Sequence, residues 1–374
     1  MPSNPNRMLL LDAMKGLAAQ LIVLHHLASY GPLAEAFSDM LPTLAAFLFD
    51  YGRMVVQVFL VVGGYLAARS LAAIDFGSVA NPLPLLWRRY VRLALPFAVA
   101  MLIAILAAAV ARHWLDDDFI PDAPSLGQML AHGMLLHGVF DVPSLSAGVW
   151  YVAIDLQLFA LLALVLWCGR WLGGERSGAS FGWILAACLG VLALFVFNRN
   201  EVFDAWGIYF FGSYALGAFA WWLTTRPRPL FWLASLLAVA LAALTVDFRL
   251  RIALALAIAV LLAVASLTGM LGRWPRSNVL AWLGKVSYSV FLVHFPVCIV
   301  VNAGYDYFFE EDELAAIAAI LAAWGISLLA GALFHRHVET RRQWLPAAVS
   351  AAARSGFSAL LSLLAKIPRI LARA

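Results

Sequence analysis

The feature that most limits what this chain can fold into is a series of apolar runs that recurs from Leu9 into the mid-330s. Leu93 to Val110, Phe231 to Val246 and Ile252 to Leu271 are examples. Each is near the roughly 20 residues of helix that cross a bilayer core. Composition agrees, with 64% of residues hydrophobic and 12% charged, against about half and about a quarter in soluble domains. A water-soluble fold is excluded. The pattern predicts an all-α integral membrane protein, a single bundle of about ten transmembrane helices. The expected spans are Met8 to Ser29, Val55 to Ile74, Leu93 to Ala111, Val149 to Trp167, Phe181 to Phe197, Ala205 to Leu223, Leu230 to Val246, Ile252 to Leu271, Trp282 to Val301 and Leu314 to Phe334.

The first run is not a cleavable signal, because it carries Asp12, Lys15 and the His25-His26 pair and lacks a small-residue cleavage site. Alternate loops differ in charge. One set holds Arg69, Arg88, Arg89, Arg92, Arg170, Arg226, Arg228 and Arg273, and the other holds Asp116, Asp117, Asp118, Asp122, Glu201 and Asp306. By the positive-inside rule the arginine side is cytoplasmic, and both termini are expected there. The net charge of +4 is spread over these loops rather than gathered on one face, so topology accounts for it and nucleic acid is not an expected partner. The three cysteines, Cys168, Cys188 and Cys298, lie far apart in apolar segments and read as packing residues, with no metal site. Residues 1–345 form the expected membrane domain. Residues 346–374 alternate basic and apolar side chains, as an amphipathic cytoplasmic helix on an anionic leaflet would.

Ionisable groups at membrane depth are costly, so each is a candidate for function. On a helix, Asp12, Lys15 and His26 share one stripe, and His26 lies about 16 Å beyond Lys15. A neutral imidazole there can take a proton from an attacking hydroxyl, or simply bond a carbonyl or serine. His25 points about 100° away, as a supporting residue would. In Trp150 to Gln157, Asp155 can orient His26 or bond acceptor hydroxyls. Trp150 and Tyr151 can stack on a sugar ring or anchor at the interface. Arg88, Arg89 and Arg92 suit the phosphates of coenzyme A, and equally suit positive-inside anchoring. Ser287, Tyr288 and His294 place polar groups in an apolar helix ahead of Pro296, for chemistry or for interhelical hydrogen bonds.

Taken together and in order, these segments resemble the acyltransferase-3 family of membrane O-acyltransferases, over almost the whole chain. Leu11 to Leu17 with His25-His26 is similar to its opening pattern, and Phe59 to Leu66 resembles its second helix. Arg89 and Arg92 match its cytoplasmic Arg-x-x-Arg pair. Trp150, Asp155 and Gln157 align with a tryptophan-to-glutamate-to-glutamine motif, and Ser287 to Pro296 with a late serine-tyrosine-histidine-proline motif. Glu339 before Arg341 and Arg342 resembles the closing signature. Lys15, Asp155 and Gly63 stand where arginine, glutamate and serine are usual.

The resemblance implies transfer of an acyl group from acyl-CoA across the membrane to a hydroxyl of a polysaccharide or lipid-linked glycan. Acetyl is the default, with succinyl also known in the family. The implied catalytic set is His26, Asp155 and Asp12. The donor would be held by Lys15, Arg88, Arg89 and Arg92, and the acceptor by Trp150, Tyr151, Gln157, His25, Tyr288 and His294. Direct attack and a transient acyl-histidine both stay open. No tightly bound cofactor is expected, and the expected location is a bacterial inner membrane. The rival is a transporter or flippase of a glycan or anion, whose inverted repeat and paired broken helices the sequence does not display.

Overall fold

The computed structural model describes residues 7–74, 81–309 and 312–341, which fold into helices and their connections, without strands. In chain order the helices are α1 (Leu9–Leu27), α2 (Pro32–Met40), α3 (Pro42–Tyr51), α4 (Val56–Ala72), α5 (Leu83–Ala111), α6 (Leu126–Gly133), α7 (Trp150–Phe195), α8 (Gly207–Thr224), α9 (Pro229–Val246), α10 (Leu250–Leu267), α11 (Asn278–Phe309) and α12 (Glu313–Phe334). Among the described residues, eight helical stretches are long and apolar enough to cross a membrane. They cover eight of the expected spans. The chain is a multi-pass membrane protein. The other two expected spans are also helices, α1 and α8. The proposed tail at residues 346–374 lies outside the described residues.

Besides α5 starting at Leu83, ten residues ahead of the expected Leu93, and α11 running on to Phe309, three features differ from the sequence reading. The second span begins at Pro42, because α3, a short 3₁₀ turn and α4 run on as one stretch to Ala72. The fourth and fifth spans form one helical arm pair, α7, broken at Gly174, whose φ of 63° is open to glycine at no steric cost. The third difference concerns the segment before α7, expected as an acidic outer loop. The Tyr90 hydroxyl donates to the Gly133 carbonyl (2.7 Å), and His132 and His137 stack against Phe97 in mid-α5. This part of the loop folds back along α5 instead of leaving the bundle. Its apolar run, Leu126 to Leu136, is too short for a span, and such short runs suit re-entrant or interior segments.

The core sits where helices cross on glycine. In lipid there is little hydrophobic drive between helices, so close backbone approach supplies the packing energy. A Cβ at Gly64 would overlap the Tyr214 carbonyl oxygen, and one at Gly217 would overlap that of Val61, so α4 and α8 are in backbone contact. Gly284 likewise lies on the Asp12 carbonyl and Gly16 on the Gly284 nitrogen, which joins α1 to α11. The second crossing holds the polar stripe of α1 against the polar face of α11.

Gly217→Val is therefore expected to cost about 1–3 kcal/mol or to prevent accumulation. Gly304→Ala, where a Cβ meets nothing within 4 Å, is expected to be neutral or to stabilise by up to about 1 kcal/mol. Thermal unfolding of the two purified variants in one detergent measures both.

Candidate functional site

His26 ends the polar stripe of α1 and is 6% exposed. Its Nδ1 lies 2.9 Å from Nε2 of His294 on α11, and the two rings stack at 5.0 Å. His294 Nδ1 faces the carbonyl oxygens of Phe291 (2.8 Å) and Val290 (3.1 Å). Carbonyls only accept, so His294 Nδ1 carries hydrogen and its Nε2, in the neutral ring, is an acceptor. His26 Nδ1 must then be the donor. This fixes the tautomer of His26 and leaves its Nε2 with a free lone pair, the form a general base requires. Nε2 makes no hydrogen bond among the described residues. Tyr30 and Phe295 meet the His26 ring edge-on, at 5.4 and 5.7 Å. Gly148, at φ 78°, lets the chain turn beside it: a Cβ there would stand 3.4 Å from His26 Cε1.

Below this pair lies a cavity of about 730 Å³. Lys15, Arg88, Arg89, Arg92 and Glu339 supply its charged wall with Asp155, and Phe59, Val62, Leu66, Pro96 and Phe291 its apolar wall. Phe291 packs against Phe59 (6.2 Å) and Tyr151 (5.8 Å) on the cavity side, and its ring centre is 6.2 Å from His294. Phe291 therefore stands between the cavity and the histidine pair.

The structure brings some of the expected residues together and separates others. Lys15, Arg88, Arg89, Arg92, Tyr151, Asp155 and Tyr288 all line the cavity. Asp155 does not touch His26. It accepts from Arg89 Nη2 at 2.6 Å, deep between α5 and α7, and the guanidinium also lies over the Phe159 ring at 5.1 Å. His294, expected at the acceptor, is the group that orients His26. Asp12 is about 21 Å of helix from His26, too far to act on it, and instead pairs with Arg7 (2.8 Å) and Lys15 (3.1 Å). His25 faces away and donates from Nδ1 to the Leu48 carbonyl at 2.8 Å, fastening α1 to α3. Gln157 accepts from the Gly207 amide at 2.7 Å, tying α7 to the start of α8. Trp150 stacks on Phe210 at 5.4 Å and is not part of the cavity wall. Tyr288 donates to the Leu93 carbonyl at 3.2 Å.

Two placements were not visible in the sequence, which did not single out Tyr214 and gave Glu339 only as part of the closing signature. Tyr214, fully buried on α8, presses its ring towards Asp155 across Gly63: a Cβ at Gly63 would meet the ring at 3.3 Å and the carboxylate at 3.6 Å. Glu339 closes the cavity wall from a π-helical turn at 335–339, where it accepts from Ser289 Oγ (2.6 Å) and faces His335 Nδ1 (2.9 Å). π-turns cluster at functional sites, but no residue pattern announces them.

The described residues thus form a bundle of apolar helices around a buried histidine pair, with a cavity lined by Lys15 and the arginines of α5 close by. The acyltransferase-3 family model, an acyltransferase domain, matches residues 9–336, nearly the whole chain, and the protein belongs to that family. It is an acyltransferase. No curated protein and no solved structure matches it significantly.

Removing one partner of a buried ion pair strands the other charge. Asp155→Ala is expected to cost about 3 kcal/mol of stability. Arg89→Met/Asp155→Leu should recover most of that while leaving the cavity without its inner cation. Denaturant or thermal unfolding of the single and double variants checks this.

Proposed function

We propose that the protein transfers an acyl group, acetyl by default, from acyl-CoA to a hydroxyl of a polysaccharide or lipid-linked glycan presented on the opposite side of a bacterial inner membrane. One observation carries the reading: a cavity lined by the arginines of α5 reaches Phe291, whose ring centre is 6.2 Å from His294, the partner of a histidine whose tautomer leaves Nε2 able to take a proton. Coenzyme A is rich in phosphate, which guanidinium groups bind well. Arg88 and Arg92 would take its phosphates at the mouth, and Lys15 is the next cation along the wall. Lysine offers a point charge rather than a bidentate fork, so it suits the pantetheine amides or a single oxygen. Arg89 is already neutralised by Asp155 and serves mainly to hold the wall.

The pantetheine arm would run along Val62 and Leu66, with the thioester passing Phe291 to reach His26. There His26 Nε2 takes the proton of the acceptor hydroxyl as its oxygen attacks the thioester carbonyl. The C–S bond then breaks, the ester leaves on the glycan, and the imidazolium returns its proton to the coenzyme A thiolate. In the two-step version Nε2 itself attacks, coenzyme A leaves as the thiolate, and the resulting acyl-imidazolium is then cleaved by the glycan hydroxyl, whose proton ends on the thiolate. His294, through its bond to Nδ1, orients the base and stabilises the imidazolium in either route.

The test follows free thiol released from acetyl-CoA by the purified, detergent-solubilised protein with a periplasmic and surface glycan fraction. Release should require the glycan and fall by about 10²–10⁴ in His26→Ala, the usual share of a positioned base. His294→Gln should lower turnover less than His26→Ala, because an amide can still accept from Nδ1. Arg92→Ala should raise the KM for acetyl-CoA with little change in kcat. Full turnover by His26→Ala would remove the base assignment. Glycan movement in liposomes without any consumption of acyl-CoA would replace the enzyme with a transporter.

A further inference from the structure

Away from the acyl-donor cavity, a groove of about 870 Å³ runs between the second arm of α7, α8 and α9. On α7 it extends from Ser180 to Leu194, about 20 Å at 1.5 Å per residue, somewhat more than half the roughly 30 Å hydrocarbon thickness. It opens sideways, out of the bundle: Ile184 is 54% and Trp232 45% exposed. The reason is visible in α9, the least embedded of the spanning helices, 11% buried against 78% for α11.

The groove is apolar along its length and cationic at one end. There Trp183 stacks on Trp222 at 4.9 Å, and the Arg226 guanidinium lies over the Trp222 ring at 4.4 Å. That stack fixes Arg226 at the point shared with a second hollow of about 350 Å³, which Arg170 and Thr225 also line. Arg228 completes the end of the groove. No carboxylate lines either hollow among the described residues, and neither Arg226 nor Arg228 forms an ion pair among them. These residues occupy the arginine-bearing end of the bundle, where Leu71 and Ala72 of α4 also finish.

We propose that this composite groove is a binding site for one anionic phospholipid of the arginine-side leaflet. Its phosphate sits between Arg226 and Arg228, and one acyl chain lies along Ile184, Val191 and Val239. A free anion would use the cationic end and leave the apolar length empty. A zwitterionic lipid would bring an ammonium group to a rim where, among the described residues, no carboxylate meets it. The lipid fills the gap between α9 and the rest of the bundle, so its absence loosens that helix. The inference does not depend on the acyl-transfer mechanism.

The experiment uses the full chain, delipidated in detergent and titrated with mixed micelles of dioleoylphosphatidylglycerol or dioleoylphosphatidylcholine. Native mass spectrometry reads lipid retained per chain, and thermal unfolding is followed alongside. One phosphatidylglycerol should be retained, with a raised unfolding midpoint, and phosphatidylcholine should be retained far less. Arg226→Gln/Arg228→Gln should weaken retention about thirtyfold, the factor two arginines give at the usual strength of arginine–headgroup attraction. Val239→Trp, which fills the groove with the arginines intact, should also abolish retention. Equal retention of the two lipids, unchanged retention in both variants, or the same thermal shift from glycerol phosphate alone would each overturn the proposal.

Discussion

A single hydrogen bond between two imidazoles, from residues 268 positions apart in the chain, organises the centre of this protein. It has direction only because His294 spends its other nitrogen on the carbonyls of its own helix, Phe291 and Val290. Backbone acceptors therefore do what a carboxylate does in many hydrolytic sites: they set a tautomer and hand it on. In a low-dielectric interior this arrangement avoids placing a second charge beside the base, which a carboxylate would have done at a cost of several kcal/mol when unpaired.

That bond depends on two helices lying nearly in backbone contact, which the glycines at 16 and 284 permit. The α4–α8 crossing at Gly64 and Gly217 does the same for the cavity wall. It brings Tyr214 against Gly63 and Asp155, so that the ion pair with Arg89 is shut in on one side. Packing and chemistry share the same residues, and a change meant to probe one will often register in the other. Asp155 is the clearest case, since its carboxylate is a partner of Arg89 before it is anything else.

Much of this was legible in the sequence for a physical reason: membrane depth makes polar side chains rare, so the few that occur stand out. The stripe of Asp12, Lys15 and His26, the arginines of α5 and the polar face of α11 were all visible in that way. What a single sequence does not encode is which helix each face meets. In the sequence Asp155 reads as a group that orients His26 or bonds acceptor hydroxyls, with nothing to point it at Arg89, and His294 is visible as a polar residue but not as the partner of His26. Gln157 and His25 looked alike on the page and turned out to fasten helices together, because an amide or imidazole at a junction satisfies backbone groups that lipid cannot. The fold-back of residues 126–148 was hidden for the opposite reason, being apolar but too short to register as a span.

The ring of Phe291 stands between the cavity and the histidines. A membrane holding a potential charges about 2.3 kcal/mol per elementary charge for each 100 mV crossed, and a base reachable by water from both faces would let protons run down that gradient. An aromatic ring at that point is an apolar step between the cavity and the buried pair, and it offers a proton no hydrogen-bond partner of its own.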